Sequence, residues 1–319
     1  MLNRVIYNWG VIFTPSEALK NLISGGKAKQ TQARRQKPIL DLYKNLTYAN
    51  VIELDSFPKN NKANGLGLIG WKQLFFYISQ SKPYLAVQSF MNLIKTDEVA
   101  VALVDTHHIN YIKELVILSA QASSTRGKAV DFLDCEVTIN NKTFEAVVKS
   151  LLILKTCIKP QFLCGPPTHH AGYYAPDGFC VINTQLVYAA LLKKILKKEN
   201  KEILVIQCGL DINQDNGSKE ILLHWLNTGY INDYLRIDVF DSRVYPGPEN
   251  LNTSFEDKKN VVEVDLGSEK EQRNSGEIIA FILKEIKRKI DSVDPGKTRI
   301  FLSLPIGFDS SESEQAMCG

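Results

Sequence analysis

The chain has 319 residues, 44% hydrophobic and 23% charged, with a formal net charge of +3. That length fits one large domain or two smaller ones, and the apolar share supplies a sizeable core. The mild positive balance gives no direct nucleic-acid signal, which needs a clustered basic face. The N-terminal apolar patch is broken by Asn8, Gly10 and Pro15, and no window has the length of a signal peptide's core or a membrane span. Six cysteines, at 135, 157, 164, 180, 208 and 318, form no CxxC pair. They read as buried thiols of a reducing compartment and exclude a disulfide scaffold or a cysteine-zinc site. The expectation is a soluble, cytoplasmic protein with no membrane partner.

In chain order, "RVIYNWG" (4–10) reads as a strand, and the basic run Gly25 to Lys37 as a solvated loop and helix start. A helix over Pro38 to Leu46 and a strand at "VIELD" (51–55) follow. The stretch "SFPKNNKANGLGLIG" (56–70) has the Gly/Asn/Pro content of a loop, and "WKQLFFYI" (71–78) that of a buried helix or strand. Helices are predicted over Tyr84 to Lys95, Tyr111 to Ala120, Thr143 to Cys157, Thr184 to Lys198 and Ser275 to Ile290. Strands are predicted at "ILVIQC" (203–208), "YLRIDVF" (234–240), "VVEVDL" (261–266) and "RIFLSLPIGF" (299–308). Such alternation implies an α/β fold, a mostly parallel sheet flanked by helices on both faces.

In such sheets chemistry lies on loops just after the carboxyl ends of strands. Three stretches take that place: "GPPTHHAGYYAPDGFC" (165–180) after "QFLC", "GLDINQDNGS" (209–218) after "ILVIQC", and "GFDSSESEQ" (307–315) after "RIFLSLP". They bring His169, His170, Asp211 and Asp309 to one rim. Two carboxylates with imidazoles suit a divalent metal beside a proton shuttle, able to activate water against an amide. The competing reading of an adjacent His-His pair is a hydrogen-bonding role in a polar loop.

The stretches "PPTHHA" and "GFCVIN", with the helix "TQLVYAALLKK", resemble the signature of the zinc-dependent histone deacetylase and acetylpolyamine amidohydrolase superfamily. In the same order, "VDTHHINYIKEL", "LDCEVT" (133–138), "RVYPG" and "GFDSSESEQAM" are similar to further segments of that family, so the resemblance covers roughly residues 100 to 317. It implies one arginase/deacetylase-type domain over 1–319, with a divergent N-terminal part to about 100. It also implies His170 as general base with His169 as electrostatic helper or acid, and Asp211 and Asp309 as zinc ligands. Asp134 falls at the substrate rim and Phe179 at the aromatic wall of the acyl channel. The implied ligand is an acetylated lysine-containing protein or a small acyl-amide.

The match breaks at 209–218, where the family reads Asp-x-Asp-x-His-His-Gly-x-Gly-Thr/Ser. Asp211, Gly217 and Ser218 agree; Gly209, Asn213, Gln214 and Asp215 do not. Asn213 stands where the family has a histidine ligand, and a neutral amide is a poor zinc donor. Gly209 stands where a carboxylate buttresses one of the paired histidines, a loss of about 10–100-fold at comparable metal sites. The family's later strand, with its oxyanion-binding tyrosine, has no counterpart before Gly319, so that either the sequence is a fragment or the domain lacks its last strand and helix. Together these departures predict a degenerate deacetylase with an acyl-lysine-type pocket and an impaired zinc site, acting by binding or regulation. The alternative is an active metal-dependent amidohydrolase whose third ligand is Asn213 or Asp215. Asp211, Asn213 and Asp215 also sit at positions 1, 3 and 5 of a calcium-loop pattern, but Asn216 and Leu222 break it at 6 and 12. At most a weak Ca²⁺ or Mg²⁺ site follows from that.

Overall fold

The computed structural model describes residues 10–13, 50–53, 65–124, 130–131, 137–155, 161–164, 168–247, 260–268, 271 and 273–306. They fall into two compact units, the first to Thr168 together with Tyr174–Leu191, the second His169–Tyr173 together with Leu192 onward. The predicted helix at 38–46, the basic run at 25–37, Asp134 and Asp309 lie outside the described residues.

The first unit holds a parallel sheet of order β2-β1-β5, from β1 (Gly10–Phe13), β2 (Asn50–Glu53) and β5 (Gln161–Cys164). The first strand thus begins where "RVIYNWG" ends. A short antiparallel pair, β3 (Val130–Asp131) and β4 (Thr138–Ile139), lies between. The helices are α1 (Gly65–Ser79), α2 (Pro83–Leu93), α3 (Glu98–Thr106), α4 (Ile109–Ser124), α5 (Thr143–Leu154) and, as far as Leu191, α6 (Thr184–Lys198). Loop composition misjudged 65–70, which is helical. Gly70 is needed there because a Cβ would lie 2.6 Å from Leu93 Cδ2, so close helix packing outweighs glycine's low helix propensity. The helix α3 had no sequence prediction; its start is capped by Asp97, whose Oδ1 accepts from Val99 N (2.9 Å) and Ala100 N (3.1 Å). "WKQLFFYI" resolves as helix, and Trp71 and Phe75 pack with Phe90 and Phe144 at centroid distances of 6.0–6.5 Å.

The second unit is built on a parallel sheet of order β8-β7-β6-β9: β6 (Glu202–Leu210), β7 (Tyr234–Phe240), β8 (Val261–Asp265) and β9 (Thr298–Ser303). Helix α7 (Asn216–Asn227) joins β6 to β7, and α8 (Ser275–Asp291) joins β8 to β9. Strand alternation assigns the two faces. Leu204, Ile206 and Cys208 of β6, with Leu235, Ile237 and Val264, form a buried cluster with Ile278, Ile282 and Ile286 of α8. The alternate residues Gln207, Arg236 and Asp238 face α7, where Gln207 Nε2 donates to Asp215 Oδ2 (2.9 Å). The predicted parallel α/β architecture is therefore the observed one. Among the described residues, no helix is long and apolar enough to cross a membrane.

Candidate functional site

The carboxyl end of β6 delivers the loop 211–215 and then the first turn of α7. Asp211 begins the loop, and its Oδ1 accepts from Asn213 N (2.9 Å), an Asx turn. Its Oδ2 lies 3.9 Å from His169 Nδ1. Asn213 turns its amide nitrogen to the carbonyl of Tyr245 (2.9 Å), on the turn after β7. A second tie joins the two loops, from Asp241 N to Ile212 O (2.8 Å).

His169 and His170 are buried, with ring centroids 4.0 Å apart and planes at 87°. His170 Nδ1–H donates to Asn216 Oδ1 (2.5 Å), and its ring meets Tyr245 edge-on at 5.0 Å. That bond leaves Nε2 as the free lone pair, the tautomer a proton acceptor needs. Burial, then the neighbouring His169, holds the His170 imidazole down at about 4, and the Asn216 bond and the charges of Asp211 and Asp215 only partly oppose this. His170 is neutral at pH 7.

Asp215 does not stand as a metal ligand. It is buried and caps α7, with Oδ1 accepting from Ser218 N (3.2 Å) and Oδ2 from Gln207. Its own N–H donates to Asp238 Oδ2 (3.1 Å), which also accepts from Arg236 (2.6 Å), and Arg236 reaches Glu263 (2.9 Å). Burial pushes the Asp238 carboxyl up, against the pull of Arg236. Of the calcium-loop positions, Asp215 is thus engaged as a helix cap, while Asp211 makes an Asx turn and Asn213 donates to Tyr245. No group of three or more His, Cys, Asp or Glu suited to a metal occurs among the described residues.

Gly209 has its own explanation. A Cβ there would lie 2.7 Å from Asp238 Oδ1 and 3.3 Å from Asp215 Cβ. The space for a carboxylate on β6 is thus taken by one from β7, which Arg236 engages. Phe179, exposed and at φ +64°, follows Gly178 in a turn closed by Cys180 N to Asp177 O (2.7 Å). Cys180 and Cys208 are buried free thiols, as the cysteine spacing implied, and burial pushes Cys208 up to about 12. Asn216 and Tyr245 were missed as site residues. Asn216 could have been found from its place in the first turn of a helix that follows a strand, and Tyr245 from the family-like stretch "RVYPG" that contains it.

A model of the histone deacetylase domain matches residues 79–317. The chain belongs to the histone deacetylase family. The match starts about twenty residues before the point where the sequence resemblance becomes evident. The fold is similar to that of the HDA15 HD domain, with TM-score 0.54 and 15% identity over 97% of this chain and 75% of that one. It is likewise similar to a deacetylase homologue from Aquifex aeolicus, with TM-score 0.51 and 14% identity over 92% and 68% of the two chains. No curated protein sequence matches the chain. Membership in this family implies zinc, and the donors described here do not fit that ion. Asp211 is one carboxylate, and Asn213 offers only a neutral amide oxygen, its nitrogen donating to the Tyr245 carbonyl.

Proposed function

We propose that this deacetylase-family protein is a degenerate member that binds an acyl-lysine-type ligand, on a protein or a small acyl-amide, without efficient hydrolysis. Its role is binding or regulation, in the cytoplasm, without membrane or nucleic acid as partner. Phe179 and Asp134 are the channel wall and rim that the resemblance assigns. The observation that supports the reading is Asn213 at the third donor position, a neutral amide whose nitrogen donates to the Tyr245 carbonyl and whose oxygen is a poor zinc donor. The base points the same way. A neutral amide stands behind His170, and an imidazole held at about 4 draws a proton poorly from water.

The test pairs elemental analysis after Zn²⁺ loading with two assays on an acetyl-lysine peptide, binding by fluorescence anisotropy and release of acetate. Saturable binding without turnover and without stoichiometric zinc is expected. Stoichiometric zinc with turnover abolished by His170→Ala overturns the reading in favour of an active amidohydrolase. Absence of peptide binding overturns it as well.

A further inference from the structure

The segment His169–Tyr173 runs along one face of α7, meeting it residue by residue. Ser218 N donates to His169 O (3.0 Å), and Asn216 Oδ1 accepts from His170. A Cβ at Gly217 would fall inside the backbone of His170 and Ala171, and one at Gly172 inside the Glu220 carboxylate. The Tyr173 ring stacks on His224, with centroids 3.7 Å apart and planes at 22°. Positions 217, 220 and 224 share a helix face, at spacings i, i+3 and i+7.

We infer that Tyr173 and His224 are positioning residues for His170. Gly172 gives the segment a backbone with wide conformational freedom just after the pair. Its path is fixed only if both ends are anchored. Ser218 and Asn216 anchor the start, and the Tyr173–His224 stack anchors the end, so that the His170 ring arrives with Nδ1 on Asn216 and Nε2 free. The inference rests on the reading of the His169–His170 pair as part of the acyl-lysine-type binding site.

The test reads the ring itself. Long-range ¹H–¹⁵N spectra at pH 7.5 resolve the tautomer of each of the chain's 5 histidines, without substrate or metal. The wild type and His224→Phe, which keeps a stacking ring, should hold His170 in the Nδ1–H form. His224→Ala should lower that tautomer ratio by about two- to tenfold, the range an aromatic pair accounts for. Tyr173→Leu, on the other side of the stack, should reproduce it and serves if His224→Ala does not fold. An unchanged ratio in the folded loss-of-stack variants overturns the inference, as does a lowered ratio in His224→Phe. Failure of the wild type to bind acetyl-lysine peptide counts against the functional reading alone.

Discussion

The segment His169–Tyr173 is held along its whole length by one helix face, whereas the loop Asp211–Asp215 is held firmly only at its end. At that end Asp215 is buried among Gln207, Ser218, Arg236 and Asp238, with each of its carboxylate oxygens accepting a hydrogen bond. The start of the loop is half-buried and rests on an Asx turn and the ties to Tyr245 and Asp241. The departures from the family pattern follow this division. In the half-buried part Asn213 simply replaces a donor, while in the buried part Gly209, Asp215 and Asp238 form a rewired network. A buried polar group can change only together with its partners, since each unpaired one costs roughly 1–3 kcal/mol.

The strongest way to break this comparison is to restore the family's carboxylate. Gly209→Asp should not rebuild a buttress for the paired histidines. It should destabilise the fold by about 3 kcal/mol or more, because its Cβ meets Asp238 and adds a charge beside Asp215. Urea unfolding measures this, and a variant as stable as the wild type would remove the claim that β7 fills the vacated space.

Next in size is the pH dependence of the buried histidine. His170 binds its proton more weakly folded, at about 4, than unfolded, at 6.5. The unfolded chain therefore takes up the proton first as pH falls. Stability is full above about 6.5 and declines down to about 4, by roughly 3 kcal/mol from this group. Chemical denaturation across that range should show the slope, and His170→Gln should flatten it. A histidine that titrates near 6.5 by NMR contradicts the prediction.

Asn216→Asp sharpens the comparison from the other side. A carboxylate on Nδ1 should raise the His170 pKa by about 1–2 units, whereas Asn216→Ala should lower it. NMR titration separates them, and equal values in both variants would mean that Asn216 does not act on the ring. The smallest effect belongs to Gln214, which is buried and whose amide finds no partner among the described residues. Gln214→Met should raise stability by about 1 kcal/mol, measured as a higher unfolding midpoint. A loss of stability would show that the amide is satisfied.

Much of the fold was legible in the sequence. "YLRIDVF" is β7 residue for residue, and the predicted helix at 184–198 is α6, because apolar periodicity and end residues are local signals. The His-His pair and Asp211 were legible because the family's order of motifs marks them. Gly70 and the helix from Gly65 were not, since glycine's place there depends on Leu93 of another helix. Asp215 read as a ligand candidate from its spacing, but the first turn of α7 and the Gln207 amide claim it.

By itself the sequence determined the strand and helix order, the family, and the loss of a histidine donor at Asn213, because each is carried by residue type and position along the chain. Tertiary structure alone decided that Asp238 fills the space beside Gly209, that Asn216 holds His170, and that Tyr173 stacks on His224. Those contacts join residues 29, 46 and 51 positions apart, and local pattern carries no information about which distant side chain arrives at a given atom.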